Sequence, residues 1–206
     1  MRRINVFLFL SVIVFSFLMY GCGDSDSGGG GGGGGTPIGT IGGFNPQTMT
    51  GADLPASGNI KIYHNNNLKS TASYSNSALP DITLTTPNNL TTLPSIMTSA
   101  STLTIDPALQ YAYLSLEIAN ASLNTLGDLY PCTNAQCDAI YEVIYVDRDV
   151  TINGYYIDGD SDRISYDNIQ LSTGWNMMKF SKVSAGHYRY QTVYTSDSLV
   201  WVYDKD

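Results

Sequence analysis

The chain has 206 residues, 43% of them hydrophobic and 14% charged, with 10 Lys plus Arg against 18 Asp plus Glu and a formal net charge of −8. That balance, and the complete lack of Lys and Arg between Ser70 and Asp147, excludes a phosphate-neutralising surface drawn from the middle of the chain, so nucleic acid is not expected as a partner. The length after any leader suits one ordinary domain with a real core.

Arg2 and Arg3 open the chain, and Ile4 to Met19 is apolar apart from Asn5, Ser11 and Ser16, which is the layout of a secretory signal peptide over 1–21. An uncleaved anchor needs about 20 apolar residues, and this run reaches only the lower edge of that range. Leu18-Met19-Tyr20-Gly21-Cys22 resembles the lipobox of bacterial lipoproteins, although Met19 and Tyr20 depart from its usual residues. The resemblance implies lipidation at Cys22, which then becomes the N-terminus and ties the protein to a membrane. Gly23 follows directly where an Asp is absent, which in the enterobacterial sorting rule points to the outer membrane. Removing the two leader arginines leaves 8 cations against 18 anions, a net charge of about −10.

Residues 22–57 are dominated by Gly, Ser, Thr, Pro and Asp, with Gly28 to Gly35 unbroken. Such a stretch has too few apolar residues to offset its ordering entropy and is expected to be a tether spanning roughly 30 Å. The β-domain is expected over 58–206. There the signal is period-two alternation: Ile60 and Ile62 before an Asn65-Asn66-Asn67 turn, Ile82 and Leu84 before Pro87, Leu103 and Ile105 before Asp106-Pro107.

The stretch 107–126 admits two readings. Leu109, Ala112, Leu116, Ala119, Leu123 and Leu126 fit a helix opened by Asp106-Pro107. As a strand, Ala112, Leu114, Leu116 and Ile118 face inward, with Tyr111, Tyr113, Ser115 and Glu117 outward; the strand is preferred because tyrosines suit a pleated surface.

The three cysteines also constrain the chain. With Cys22 committed to lipid, Cys132 and Cys137 are left to form a disulfide worth about 2 kcal/mol on the chain-entropy model. A thiol metal or redox site is the weaker alternative, because the four-residue spacing matches neither zinc nor thiol-exchange motifs.

From Ala139 onward the alternation reads as a meander: Ile140–Val146, Val150–Ile157 with Asn153-Gly154 marking a turn or bulge, Ile164–Leu171, Trp175–Lys182, Tyr188–Tyr194 and Leu199–Tyr203. The whole domain is expected to be all-β, a sandwich or open barrel of short antiparallel strands, with the sandwich preferred. Tyr145 to Gly154, followed by Leu171-Ser172-Thr173-Gly174-Trp175-Asn176, resembles the C-terminal part of small β-sandwich lipoproteins of Gram-negative bacteria. The resemblance covers 139–206, implies a transthyretin-like or immunoglobulin-like sandwich, and carries over no catalytic residue.

Chemistry-bearing motifs are few. His64 and His187 are the only histidines and stand in no metal-ligand spacing; no nucleophile elbow or phosphate loop occurs. Asp158, Asp160 and Asp162 alternate in a tight loop and are candidate Ca²⁺ ligands, although Arg163 and Ile169 stand where an EF-hand needs Gly and Glu; the plainer reading is a polar hairpin tip. No other cofactor is implied. Fifteen tyrosines with Trp175 and Trp201 offer a possible ligand platform, against the plainer reading that they fill the core. The expectation is a monomeric, lipid-anchored envelope protein with a structural or interaction role and no recognisable catalytic site. The alternatives are a glycan- or peptide-binding module and a hydrolase with a noncontiguous site.

Overall fold

A computed structural model describes residues 49–100, 102–193 and 199–205; the leader and Cys22 lie outside them. Ile60 and Ile62 sit in strand β2 (Ser57–His64), which returns as β3 (Asn67–Ser75). Asn65 and Asn66 both have positive φ, 48° and 63°. Asparagine tolerates that conformation, and a two-residue hairpin loop with the right twist requires it.

The ambiguous stretch is a strand, β6 (Gln110–Ala119), and no helix forms over 107–126. The only helix among the described residues is α1 (Ser95–Thr98), between two-residue strands β4 (Thr91–Thr92) and β5 (Leu103–Thr104). Ile82 and Leu84 are buried in the core without belonging to a named strand. The remaining strands are β7 (Thr125–Cys132), β8 (Ala139–Val146), β9 (Val150–Ile157), β10 (Arg163–Leu171), β11 (Gly174–Ser184), β12 (His187–Thr192) and β13 (Val200–Lys205). The all-β expectation holds.

Strand β6 organises the topology because it changes partners along its length. Its C-terminal half lies between β2 and β7, whereas Gln110 to Tyr113 lies between β4 and β8. One half of the sheet therefore runs β3-β2-β6-β7-β13-β1, where β1 is Met49–Thr50, and the other β6-β8-β11-β12-β10-β9-β5. The meander expected after Ala139 is not the pairing order: β8 pairs with β11, and β13 crosses to β7. Two pairings are parallel, β10 with β12 and β1 with β13. Alternation fixes which face a residue occupies, and it leaves the partner strand open.

Strand β1 (Met49–Thr50) corrects the domain boundary. Met49 is 2% exposed and pairs with Trp201, so the folded part begins inside the expected tether. A two-residue strand has too little sequence to show periodicity.

Two hydrophobic cores result. The first gathers Ile60, Ile62, Leu116, Ile118, Trp201 and, from β8 and β11, Tyr141, Val143, Trp175 and Met177. The second gathers Ile164, Tyr166, Ile169, Tyr188 and Tyr190 with Ile144, Val146, Met178 and Phe180 from the same two strands. Successive side chains point to opposite faces, so β8 and β11 form a wall buried on both sides, which explains their near-continuous apolar sequences. The second core also corrects one detail of β6: Tyr111, expected outward, is 4% exposed in it.

Backbone irregularities keep this wall and its neighbours in register. The β9–β10 pairing slips between Tyr166 and Ile169, with Asn168 at φ 49°, and the slip returns Ile169 to the same buried face as Tyr166. Gly154, at φ +103°, is where the edge strand β5 pairs with β9 through Leu103. A Cβ there would collide with the Thr102 carbonyl.

Candidate functional site

Cys132 and Cys137 are joined, with their Cα atoms 4.9 Å apart. The loop between them is held by Asn134, whose Oδ1 accepts the N–H groups of Gln136 and Asp138. Cys132 pairs with Ile140 where β7 meets β8, so the bridge lies at the junction of the two halves of the sheet.

The acidic loop uses its first carboxylate internally. Asp158 Oδ1 accepts the backbone N–H of Asp160 at 3.0 Å and of Asp162 at 2.9 Å, closing the turn as Asx residues do. The Asp162 carboxyl is pushed up by burial and then by the neighbouring Asp158 and Asp160 charges, with Lys182 opposing. Among the described residues no group of three or more His, Cys, Asp or Glu is arranged to hold a metal ion.

The ligand platform is corrected. Trp175 is 4% exposed and Trp201 1%, so neither offers a ring face to a ligand. Trp175 donates its indole N–H to the Thr85 carbonyl at 2.9 Å and packs edge-on against Tyr145. Both tryptophans belong to the first core, as the plainer reading had it. His64 is buried there too, its ring 4.9 Å from that of Trp175 and its Nδ1 without a hydrogen bond. Burial, then the charge of Lys69, holds its pKa below the usual histidine value.

The second histidine stands on the outer face of the sheet. Ser165 Oγ and His187 Nε2 share a hydrogen bond of 2.8 Å. Parallel pairing of β10 with β12 sets Arg163 opposite His187 and Ser165 opposite Arg189, making a block of four polar side chains on one face. The Arg163 guanidinium lies 4.0 Å from the centre of the Tyr155 ring. Partial burial, then Arg163 and Arg189, pushes the His187 pKa down. A serine nucleophile needs a base oriented by a third group that stabilises the imidazolium. Here two guanidiniums surround the imidazole and disfavour that ion. The period-two pattern of Arg163 with Ser165 and of His187 with Arg189 is visible in the sequence; the pairing that unites them is not.

A second cluster escaped sequence reasoning. Glu142, partly buried on β8, accepts the Tyr190 hydroxyl at Oε1 over 2.8 Å, and its charge also acts on Tyr111, Tyr156 and Tyr166. Lost hydration pushes its carboxyl up to about 7, against a lowering by the Tyr190 bond. The available signal was a lone charge inside an otherwise apolar strand. Tyr166 and Tyr190 stack with centroids 4.9 Å apart, so this cluster is packed core.

An open depression of about 240 Å³ lies along β9 and β10, lined by Asp149, Val150, Thr151, Gln170, Leu171 and Ser172. It is smaller than ordinary small-molecule pockets, and Asp149 already accepts the N–H and hydroxyl of Thr173. Comparison of the chain with protein-family models, curated proteins and solved structures finds no match.

Proposed function

We propose that this chain is an exported β-domain, lipid-anchored to the bacterial envelope through Cys22 and acting as a monomer in a structural or interaction role, without catalysis. The observation that carries the reading is the cysteine arithmetic. Cys132 and Cys137 occupy each other, so the third cysteine is the one at the end of the basic and apolar leader. The direct test changes Cys22 to Ala and follows palmitate incorporation and membrane fractionation. Loss of label with release or retention as uncleaved precursor is expected. A variant that still takes up palmitate and fractionates as before overturns the reading. Gly23 supports the outer membrane over the inner one.

A second reading, a ligand-binding module, is supported by the outer face of β10 and β12 and draws nothing from Trp175 or Trp201. A hydrolase is the weakest reading: Ser165 and His187 meet, but arginines stand around the imidazole where an orienting carboxylate is needed.

A further inference from the structure

Among the described cations, ion pairs engage Lys61, Arg148 and Lys205. Lys69, Arg163, Lys179, Lys182 and Arg189 stand outside the ion pairs, and the two arginines share one face with Ser165 and His187. The Arg189 Nε is buried and has no hydrogen-bond partner, a state that costs free energy.

Strand register defines this face. Tyr155 on β9, Ser165 on β10 and Arg189 on β12 occupy one row across the sheet, each about 4.8 Å from the next. The Arg163 guanidinium lies over the Tyr155 ring. Arg163 and Arg189 thus stand on the same outer face as Ser165, one two residues before it on β10 and one opposite it on β12, with His187 bonded to the hydroxyl from the adjoining row. The acidic loop is no counter-charge for this face: Asp158 is folded into its own turn, and the cation acting on Asp162 is Lys182.

We propose that this face binds a single tetrahedral oxyanion, a phosphate or sulfate group, over Ser165 and between Arg163 and Arg189. A planar carboxylate is satisfied by one guanidinium fork. Two guanidiniums carried on different strands suit an acceptor whose oxygens lie in more than one plane. The net charge of the chain disfavours an extended polyanion by long-range repulsion, which leaves an isolated group. The inference stands apart from lipidation at Cys22.

The chain's two histidines make the test internally controlled. In full-length protein solubilised in detergent, the ring resonances of His187 and His64 are followed by NMR during titration with inorganic phosphate at fixed ionic strength. His187 is expected to shift saturably and its titration midpoint to rise, because the bound anion offsets the arginines; His64, enclosed in the first core, is expected to stay put. Sulfate should saturate the same signal, and acetate should not. Arg163→Met and Arg189→Met should each weaken phosphate about tenfold or more, the worth of a charge-assisted hydrogen bond, with an unchanged His64 signal reporting an intact fold. Tighter saturation by a hexose phosphate or hexose sulfate than by the inorganic ion supports an ester group as the ligand; equal saturation supports the free ion. An unresponsive His187, parallel shifts at both histidines, or acetate saturating as sulfate does would each overturn the proposal.

Discussion

The two cores share the β8–β11 wall but enclose opposite kinds of ionisable group. The first, around Trp175 and Trp201, holds a histidine against an indole ring with no donor or acceptor for its Nδ1. The second is lined by Tyr111, Tyr156, Tyr166, Tyr188 and Tyr190 and meets a carboxyl, Glu142, with a tyrosine hydroxyl. Tyrosine brings its own hydrogen-bond donor into an apolar layer, so the second core can seat an acid. The first also contains tyrosines, but the hydroxyls of Tyr74 and Tyr203 donate to backbone carbonyls and His64 Nδ1 finds no partner, so burial favours the neutral imidazole. Desolvation disfavours the charged form in both places, and because one group is a base and the other an acid, their effects on stability run in opposite directions with pH.

The largest expected effect tests whether the shared wall makes the cores one cooperative unit. Trp201→Ala empties the centre of the first core and should cost about 3–5 kcal/mol. Because Tyr141 and Val143 alternate with Ile144 and Val146 on β8, the loss should be felt on both sides of the wall. In urea, tryptophan fluorescence reports the first core, where both tryptophans lie, and the NMR ring resonances of Tyr166 and Tyr190 report the second. Coincident transitions, shifted together in the variant, are expected. Separate midpoints would show two independent cores.

Glu142 comes next. Its folded pKa is raised from 4.5 to about 7, so the folded state holds a proton that the unfolded state releases between those values. The stability it contributes is fully present below pH 4.5 and is lost as pH rises through 7, at most about 3 kcal/mol. Glu142→Gln should flatten the pH dependence of the melting temperature over that window. An unchanged slope would remove Glu142 as its source.

The disulfide has a smaller effect on both cores, since it closes a short loop where the two halves of the sheet meet. Replacing Cys132 and Cys137 by Ser together should lower stability by about 2 kcal/mol and leave the transitions of the two cores coincident. A variant that separates the transitions would give the bridge a wider role, as the joint between the halves.

Local order was readable in the sequence where backbone chemistry is local. The Asn65-Asn66-Asn67 turn and the tyrosine-bearing β6 follow from residue preferences alone. The cores were half readable: alternation assigns Ile60 and Ile62 to an inner face, but in β8 and β11 both faces are inner, so no alternation remains to be seen. Met49 was hidden in a polar composition, and its partner Trp201 lies at the other end of the chain. The outer cationic face was out of reach for a related reason. Arg163 and Arg189 become neighbours through a parallel pairing between non-consecutive strands, which no spacing in the chain encodes.

The smallest expected effect belongs to His64. Its pKa is lowered from 6.5 by burial and then by Lys69, so the unfolded state takes up a proton that the folded state resists. The stability it contributes is fully present above pH 6.5 and is lost as pH falls through its folded value. In the wild-type protein this loss is masked, because protonation of Glu142 strengthens the second core over much of the same range. The Glu142→Gln background removes the opposing trend and should uncover a decline in melting temperature below pH 6.5, and adding His64→Gln should abolish that decline. If the double variant still loses stability with the same slope, the acid sensitivity lies outside the first core, and the opposition between the two enclosed groups fails.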